Sequence, residues 1–229
     1  MSGLGKAVRS LLSSLMGGVW GWVFIFALSF TACSSENEVY DAYENWPLRN
    51  LIWYGQIADS ARTAIRDAKA QYGDAWEAHC DWRMMKALTK SPIFESGLTT
   101  DSVCAHIIKR GTGDRSPLST DSVRVSFRGW LMPIMNELGQ QQEVVFTQTY
   151  YGDYDAATTA PQKAAVNSFA AGFATALQYM VEGDDWMVYL PSPLFYGASA
   201  NGIIPAYSAA RFRLQLMGVY PQGEIVPEW

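Results

Sequence analysis

The stretch Met180-Val-Glu-Gly-Asp-Asp-Trp-Met-Val-Tyr-Leu-Pro-Ser-Pro-Leu-Phe-Tyr-Gly-Ala-Ser-Ala-Asn-Gly-Ile-Ile-Pro205, with the run Arg211-Phe-Arg-Leu-Gln-Leu216 after it, decides the fold. Trp186 to Leu190 and Arg211 to Leu216 alternate in the manner of half-buried strands. Between them lies a loop of Gly, Pro and aromatic residues, from Pro191 to Pro205. Two strands holding such a loop place a binding surface on a rigid sheet.

Working outward, Val123-Arg-Val-Ser-Phe127-Arg-Gly129 is a further strand pattern, Val144-Val-Phe146-Thr147 an apolar corner, and Asn167-Ser-Phe169-Ala-Ala-Gly172-Phe173-Ala-Thr-Ala-Leu177 a short helix. In this order the segments resemble the FKBP class of peptidyl-prolyl cis/trans isomerases. The matching signature comprises Met180, Gly183, Tyr196-Gly197-Ala198, Gly202-Ile203-Ile204-Pro205 and the closing strand Phe212 to Leu216. It covers roughly Asp101 to Tyr220.

The resemblance implies an α+β fold: an FKBP-like antiparallel sheet of five or six strands curled around a helix at Phe169 to Tyr179. It also implies a pocket for a proline ring built from Phe127, Phe146, Phe169, Phe173, Tyr196, Ile204 and Phe212. Phe173 would be its floor, where the family usually has Trp, and Phe127, Phe146 and Phe212 its walls. The Tyr196 hydroxyl and the Ile204 N–H would hold substrate carbonyls. Three departures stand out: Phe127 replaces a Tyr, Thr147 replaces the Asp after the corner Phe, and Ala170 stands where a branched aliphatic offers its backbone N–H. The implied partners are proline-containing polypeptides, isomerised with no cofactor. The alternative is a peptide-binding or chaperone module that uses the same groove without turnover.

Upstream, Lys6 and Arg9 precede a span without charge to Cys33, which contains the apolar run Leu15 to Phe30 and ends in Phe30-Thr-Ala-Cys33. Positive start, apolar middle and small residues before a cysteine read as a secretory signal. The ending resembles the lipobox of bacterial lipoproteins, which implies cleavage after residue 32, acylation of Cys33 and an envelope location. Ser34 after the cysteine favours the outer membrane. The run is short for a bilayer span, which needs about 20 residues.

Residues 33–98 read as a polar tether and a helical segment. Leu51, Tyr54, Ala58, Ala61, Ile65, Ala68 and Tyr72 repeat at spacings of three and four, one helix face from Pro47, with Asn45 as N-cap, to a stop at Gly73. That stripe packs on its own domain or, read as a heptad repeat, forms a dimer seam. Asp74 to Pro92 suggests a short helix with a strand, Thr99 to Arg110 a strand, and Met132 to Val144 a hairpin. Residues 149–161 read as a polar flap, 99–221 as the FKBP-like domain, and 222–229 as a tail.

With 49% hydrophobic residues the chain can bury a full core. Its net charge is −5; without the first 32 residues 15 basic side chains face 22 acidic ones, giving −7. With no basic stripe this excludes a nucleic-acid groove. Cys80 and Cys104 either pair, closing a loop worth about 3 kcal/mol, or stay as buried thiols. Gly197-Ala-Ser199-Ala-Asn201 misses the nucleophile elbow at its last position, and no His follows it. His79 and His106 are read as structural. Asp153/Asp155 and Asp184/Asp185 are read as a solvated loop and a hairpin turn rather than a carboxylate pair or cation site.

Overall fold

The computed structural model describes residues 40–90 and 98–227. The expected signal segment 1–32 and the acylation at Cys33 lie outside the described residues, as does the end of the tail. Tyr40–Trp229 forms one compact unit.

Helix α1 spans Trp46–Tyr72, with Pro47 in its first turn. Asn45 sits in a left-handed conformation (φ 53°) and its side chain makes no cap, contrary to the expectation from sequence. At the other end the Gly73 N–H closes back on the Lys69 carbonyl, and a positive φ of 56° ends the helix there. A single turn, α2 (Trp76–His79), leads into strand β1 (Trp82–Lys86), so the ambiguous segment is a short helix followed by a strand.

The remaining strands are β2 (Ser102–Lys109), β3 (Ser122–Leu131), β4 (Ile134–Met135), β5 (Gln141–Gln142), β6 (Val145–Gln148), β7 (Gln162–Ala165), β8 (Asp185–Leu190) and β9 (Ala210–Tyr220). Helix α3 (Ala171–Leu177) falls between β7 and β8 and is shorter than expected. The main sheet runs β1-β2-β8-β9-β3-β6, with β7 also on β3 and every pairing antiparallel. Segment β6 pairs with Arg128 to Trp130 and β7 with Ser122 to Val125, so the two fill one strand position interrupted by residues 149–161. The six positions match the expected size. Two features escape the sequence pattern: the polar β7, and β1, which joins the sheet from the N-terminal segment. The 132–144 excursion is the expected hairpin, β4 on β5.

The sheet is covered on both faces at one end. Val103, Ala105 and Ile107 belong to the main core with Phe173, Leu177 and Met180, while Cys104, the next residue to Val103, packs with Tyr54, Ala58, Ala61 and Ala209. Strand neighbours point to opposite faces, so β2 lies between α3 and α1 and is buried on both. The small Ala58 and Ala61 let α1 approach closely.

The buried face of α1 is rotated from the one read in sequence. Trp46, Asn50, Tyr54, Ala58, Ala61 and Ala68 are buried, whereas Leu51 and Tyr72 are exposed. Asn50 is inside because all its groups are used: Nδ2 donates to the Trp46 carbonyl (2.7 Å) and Oδ1 accepts the Ala209 N–H (2.8 Å). Trp46 Nε1 donates to Ser208 Oγ at 2.8 Å. Thus α1 is locked to the chain just before β9. This stripe is spent on the chain's own sheet, the first of the two alternatives.

Cys80 and Cys104 are both free and buried. Tyr54 donates to the Ser102 carbonyl (2.5 Å) and lies 3.4 Å from Cys104 Sγ. Burial pushes both the Tyr54 hydroxyl and the Cys104 thiol up from their ordinary pKa values.

Asp184 and Asp185 are not a solvated turn; both are buried. Asp184 accepts the N–H groups of Gly111 (2.6 Å) and Val181 (2.7 Å). Asp185 takes a forked pair of bonds from Arg213 and one from Gln215 Nε2, so each carboxylate is paid for by local donors. Asp153 and Asp155 are exposed, as expected. Among the described residues no cluster of His, Cys, Asp and Glu has the makings of a metal site.

Candidate functional site

The first turn of α3 and the strands β3, β6 and β9 build the base of a pocket of about 590 Å³, and the 191–207 loop closes one side. All seven residues singled out from the sequence line it.

Phe127 on β3, Phe212 on β9 and Phe173 on α3 form its buried floor. The Phe173 ring stacks on Phe169 at 4.4 Å between centroids and meets Phe212 at 5.1 Å and Phe127 at 5.5 Å, edge on. Phe146 on β6 meets Phe212 edge-to-face at 5.3 Å. Such mixed stacked and edge contacts are the favourable ones for aromatic rings, and they lock each wall by its neighbour. Phe146 and Phe169 are only partly buried and rise towards the rim. Tyr196 is 40% exposed there.

Two glycines make this box possible. A Cβ on Gly129 would lie 2.6 Å from Phe212 Cε1, 2.8 Å from Phe146 Cζ and 2.9 Å from Thr147 Cγ2. Only glycine lets those walls converge over β3. A Cβ on Gly172 would lie 2.8 Å from Leu190 Cδ2 and 3.0 Å from the Leu194 carbonyl oxygen, so glycine seats α3 against β8 and the loop.

The loop is pinned by its own backbone. Asn201 and Ile204 exchange both N–H···O bonds, at 2.9 and 3.0 Å, around Gly202-Ile203. Ser192 accepts the N–H groups of Phe195 and Gly197, and the Gly197 carbonyl accepts the Tyr207 N–H at 2.7 Å. The bridge corrects one expectation. The Ile204 N–H already donates to Asn201 at 3.0 Å, so Ile204 contributes its buried side chain rather than a free donor. A donor remains at the opposite wall: Ala170 is the residue before α3, and its N–H meets no acceptor among the described residues.

Phe195 was not singled out from the sequence. Its ring lies 4.3 Å from Tyr196, 5.5 Å from Phe146 and 5.9 Å from Phe212. The aromatic doublet Phe195-Tyr196 is the signal that points to it. Thr147, Gln162, Ser168 and Asn201 supply neutral polar groups to the lining. Gln162 and Ser168 carry no signal, since their place depends on β7 joining β3. No charged residue lines the pocket among the described residues. It is built to take an apolar ring and to hold amide groups at its edge, not to move protons.

Residues 113–217 match the family model of the FKBP-type peptidyl-prolyl cis-trans isomerases, and this part of the chain is a domain of that family. Over 118 residues the chain is 30% identical to the macrophage infectivity potentiator of Trypanosoma cruzi, an alignment covering 51% of this chain and 53% of that protein. The chain therefore spans about half the length of that curated relative. Among solved structures it is similar to a peptidyl-prolyl cis-trans isomerase of Pseudomonas syringae (22% identity, 72% of this chain and 95% of that one, TM-score 0.41). It is also similar to FkpA of Escherichia coli (17% identity, 81% and 75%, TM-score 0.43).

Proposed function

We propose that the pocket isomerises X-Pro bonds of polypeptides. The observation that carries the reading is the aromatic box of Phe127, Phe146, Phe169, Phe173 and Phe212, which has no ionisable group in its lining. Rotation about a prolyl amide meets a barrier of about 18–20 kcal/mol, because resonance places charge on oxygen and nitrogen in the planar state. Water stabilises that polar ground state, and twisting the bond removes the polarity. An apolar pocket that grips the proline ring favours the twisted state over the planar one, with no acid, base or covalent step. Phe173 is the floor under the ring, and the Tyr196 hydroxyl and Ala170 N–H hold the flanking carbonyls.

A protease-coupled assay of residues 34–229 on an X-Pro-Phe peptide tests the reading. Turnover above buffer is expected, falling in Phe173→Ala and Tyr196→Ala but not in Asp153→Ala. Equal loss in all three means that the pocket is misplaced. Binding of the peptide with turnover no higher than buffer favours the rival, a peptide-binding module. The replacement of polar family residues by Phe127 and Thr147 speaks for that rival. The signal-like N-terminus places the clients among exported polypeptides, with the protein tethered through acylated Cys33. Palmitate-analogue labelling that survives Cys33→Ala would refute the tether.

A further inference from the structure

The loop that closes the pocket has a second face. Its residues Pro191, Pro193 and Tyr207 meet Leu48, Leu51 and Tyr54 of α1 across a groove of about 360 Å³. The side chains are nearly all apolar, yet Leu48 is 58% and Leu51 57% exposed, and Tyr207 is 49% exposed. Ile52, beside them on the helix, is 51% exposed. The repeat that makes α1 legible in sequence counts Leu51 among the inward residues. In the fold Leu51 faces the groove instead, and α1 is anchored through Trp46 and Asn50.

Tyr207 is a second, independent observation. Its φ of 61° is left-handed, a conformation that costs a residue with a bulky side chain free energy and that concentrates at ligand-binding positions. The Tyr207 N–H to Gly197 carbonyl bond of 2.7 Å holds the backbone there, so the ring is presented at the groove edge against its own preference.

We infer that this groove is a second polypeptide-binding site, which takes an apolar, proline-independent segment of the same unfolded client whose X-Pro bond enters the pocket. The inference rests on the reading of the pocket as a polypeptide site. Continuity argues for this occupant: Gly197, whose N–H bonds Ser192 and whose carbonyl bonds Tyr207, directly follows Tyr196 of the pocket. Groove and pocket are thus two faces of one hydrogen-bonded loop, within the span of a single extended chain. Size argues against a second copy. At their exposures Leu48, Leu51, Ile52 and Tyr207 together present on the order of 400 Å². A stable interface needs roughly 800 Å² per partner. A few apolar side chains of an extended segment fit the smaller figure.

The test uses the full-length chain and a fluorescent, proline-free decapeptide of Leu, Phe, Ala and Ser. The wild type is expected to bind it. Leu48→Glu with Leu51→Glu, at positions already exposed and so harmless to folding, is expected to weaken binding by about tenfold or more. The kcat/KM on a short X-Pro-Phe peptide should stay at the wild-type value. Tyr207→Gly is expected to raise Tm, because glycine accepts the left-handed φ, while weakening the decapeptide. Wild-type affinity in both variants overturns the inference. So does self-association of the wild type that Leu51→Glu abolishes without any binding of the decapeptide. Failure of the isomerase reading shows separately, as absent turnover of the short peptide with groove binding intact.

Discussion

Gly129→Ala probes the pocket at the point where its walls converge. The glycine lies in extended β3 opposite Phe212 and Thr147, with no positive φ, so alanine is acceptable to the backbone. The reduced freedom of the unfolded chain would stabilise by about 0.5–1 kcal/mol. Against this, the new methyl lies 2.6 Å from Phe212, 2.8 Å from Phe146 and 2.9 Å from Thr147, all inside van der Waals contact. Restoring contact at about 3.6 Å moves the Phe212 and Phe146 rings by up to roughly 1 Å, and overpacking of this kind costs about 1–3 kcal/mol. The net expectation is a loss of about 1–2 kcal/mol in urea unfolding. Both rings can yield only towards the pocket or into neighbours already in contact, and a misplacement near 1 Å costs up to about a hundredfold in rate. A kcat/KM at least about tenfold below wild type is therefore expected, measured where both proteins are folded. Gly113→Ala is the control. Its Cβ would meet the Glu182 backbone nitrogen at 2.6 Å, far along the chain from any pocket residue, so it should destabilise without changing kcat/KM. A Gly129→Ala protein that loses stability and keeps wild-type kcat/KM would refute the placement of the substrate between Phe146 and Phe212.

Alkaline pH should weaken the fold through the Tyr54–Cys104 contact. Burial raises both groups, so the folded state keeps protons that the unfolded chain releases above about pH 8.5 for a thiol and about pH 10 for a phenol. Their contribution is whole below about pH 8.5 and is lost as pH climbs towards the raised values. Thermal unfolding from pH 7 to 10.5 should show Tm falling above that point, less steeply in Cys104→Ala; an equal slope in both would discount the contact. Cys80 and Cys104 should resist a thiol reagent in the native protein and react after denaturation, with Tm unchanged by reductant. A reductant-sensitive Tm would mean that the two are paired.

Phe127, Phe146, Phe169, Phe173, Tyr196, Ile204 and Phe212 are legible in the chain because short sequence patterns fix them: strand alternation, a Gly-rich helix start, an aromatic-Gly turn. Phe195 hides within the same pattern, since an aromatic in a loop has no periodicity to say which way it points. The Ile204 donor is misread for a related reason. Whether a backbone N–H is free depends on its partner, and the Asn201 carbonyl three residues back claims it through a turn that residue types do not specify. Asp184 and Asp185 look like a solvated turn because charge usually seeks water. Here Gly111, Val181, Arg213 and Gln215, three of them distant in sequence, supply the donors that let both carboxylates be buried.

The sequence by itself determined the α+β class, the order of the pocket segments and the length of the long helix, because periodicity and turn residues are local properties. Tertiary structure alone decided which face of that helix is inside. Asn50 is buried and Leu51 left in a groove because the anchors are Ser208 and Ala209, more than 150 residues away, and no spacing within the helix records them.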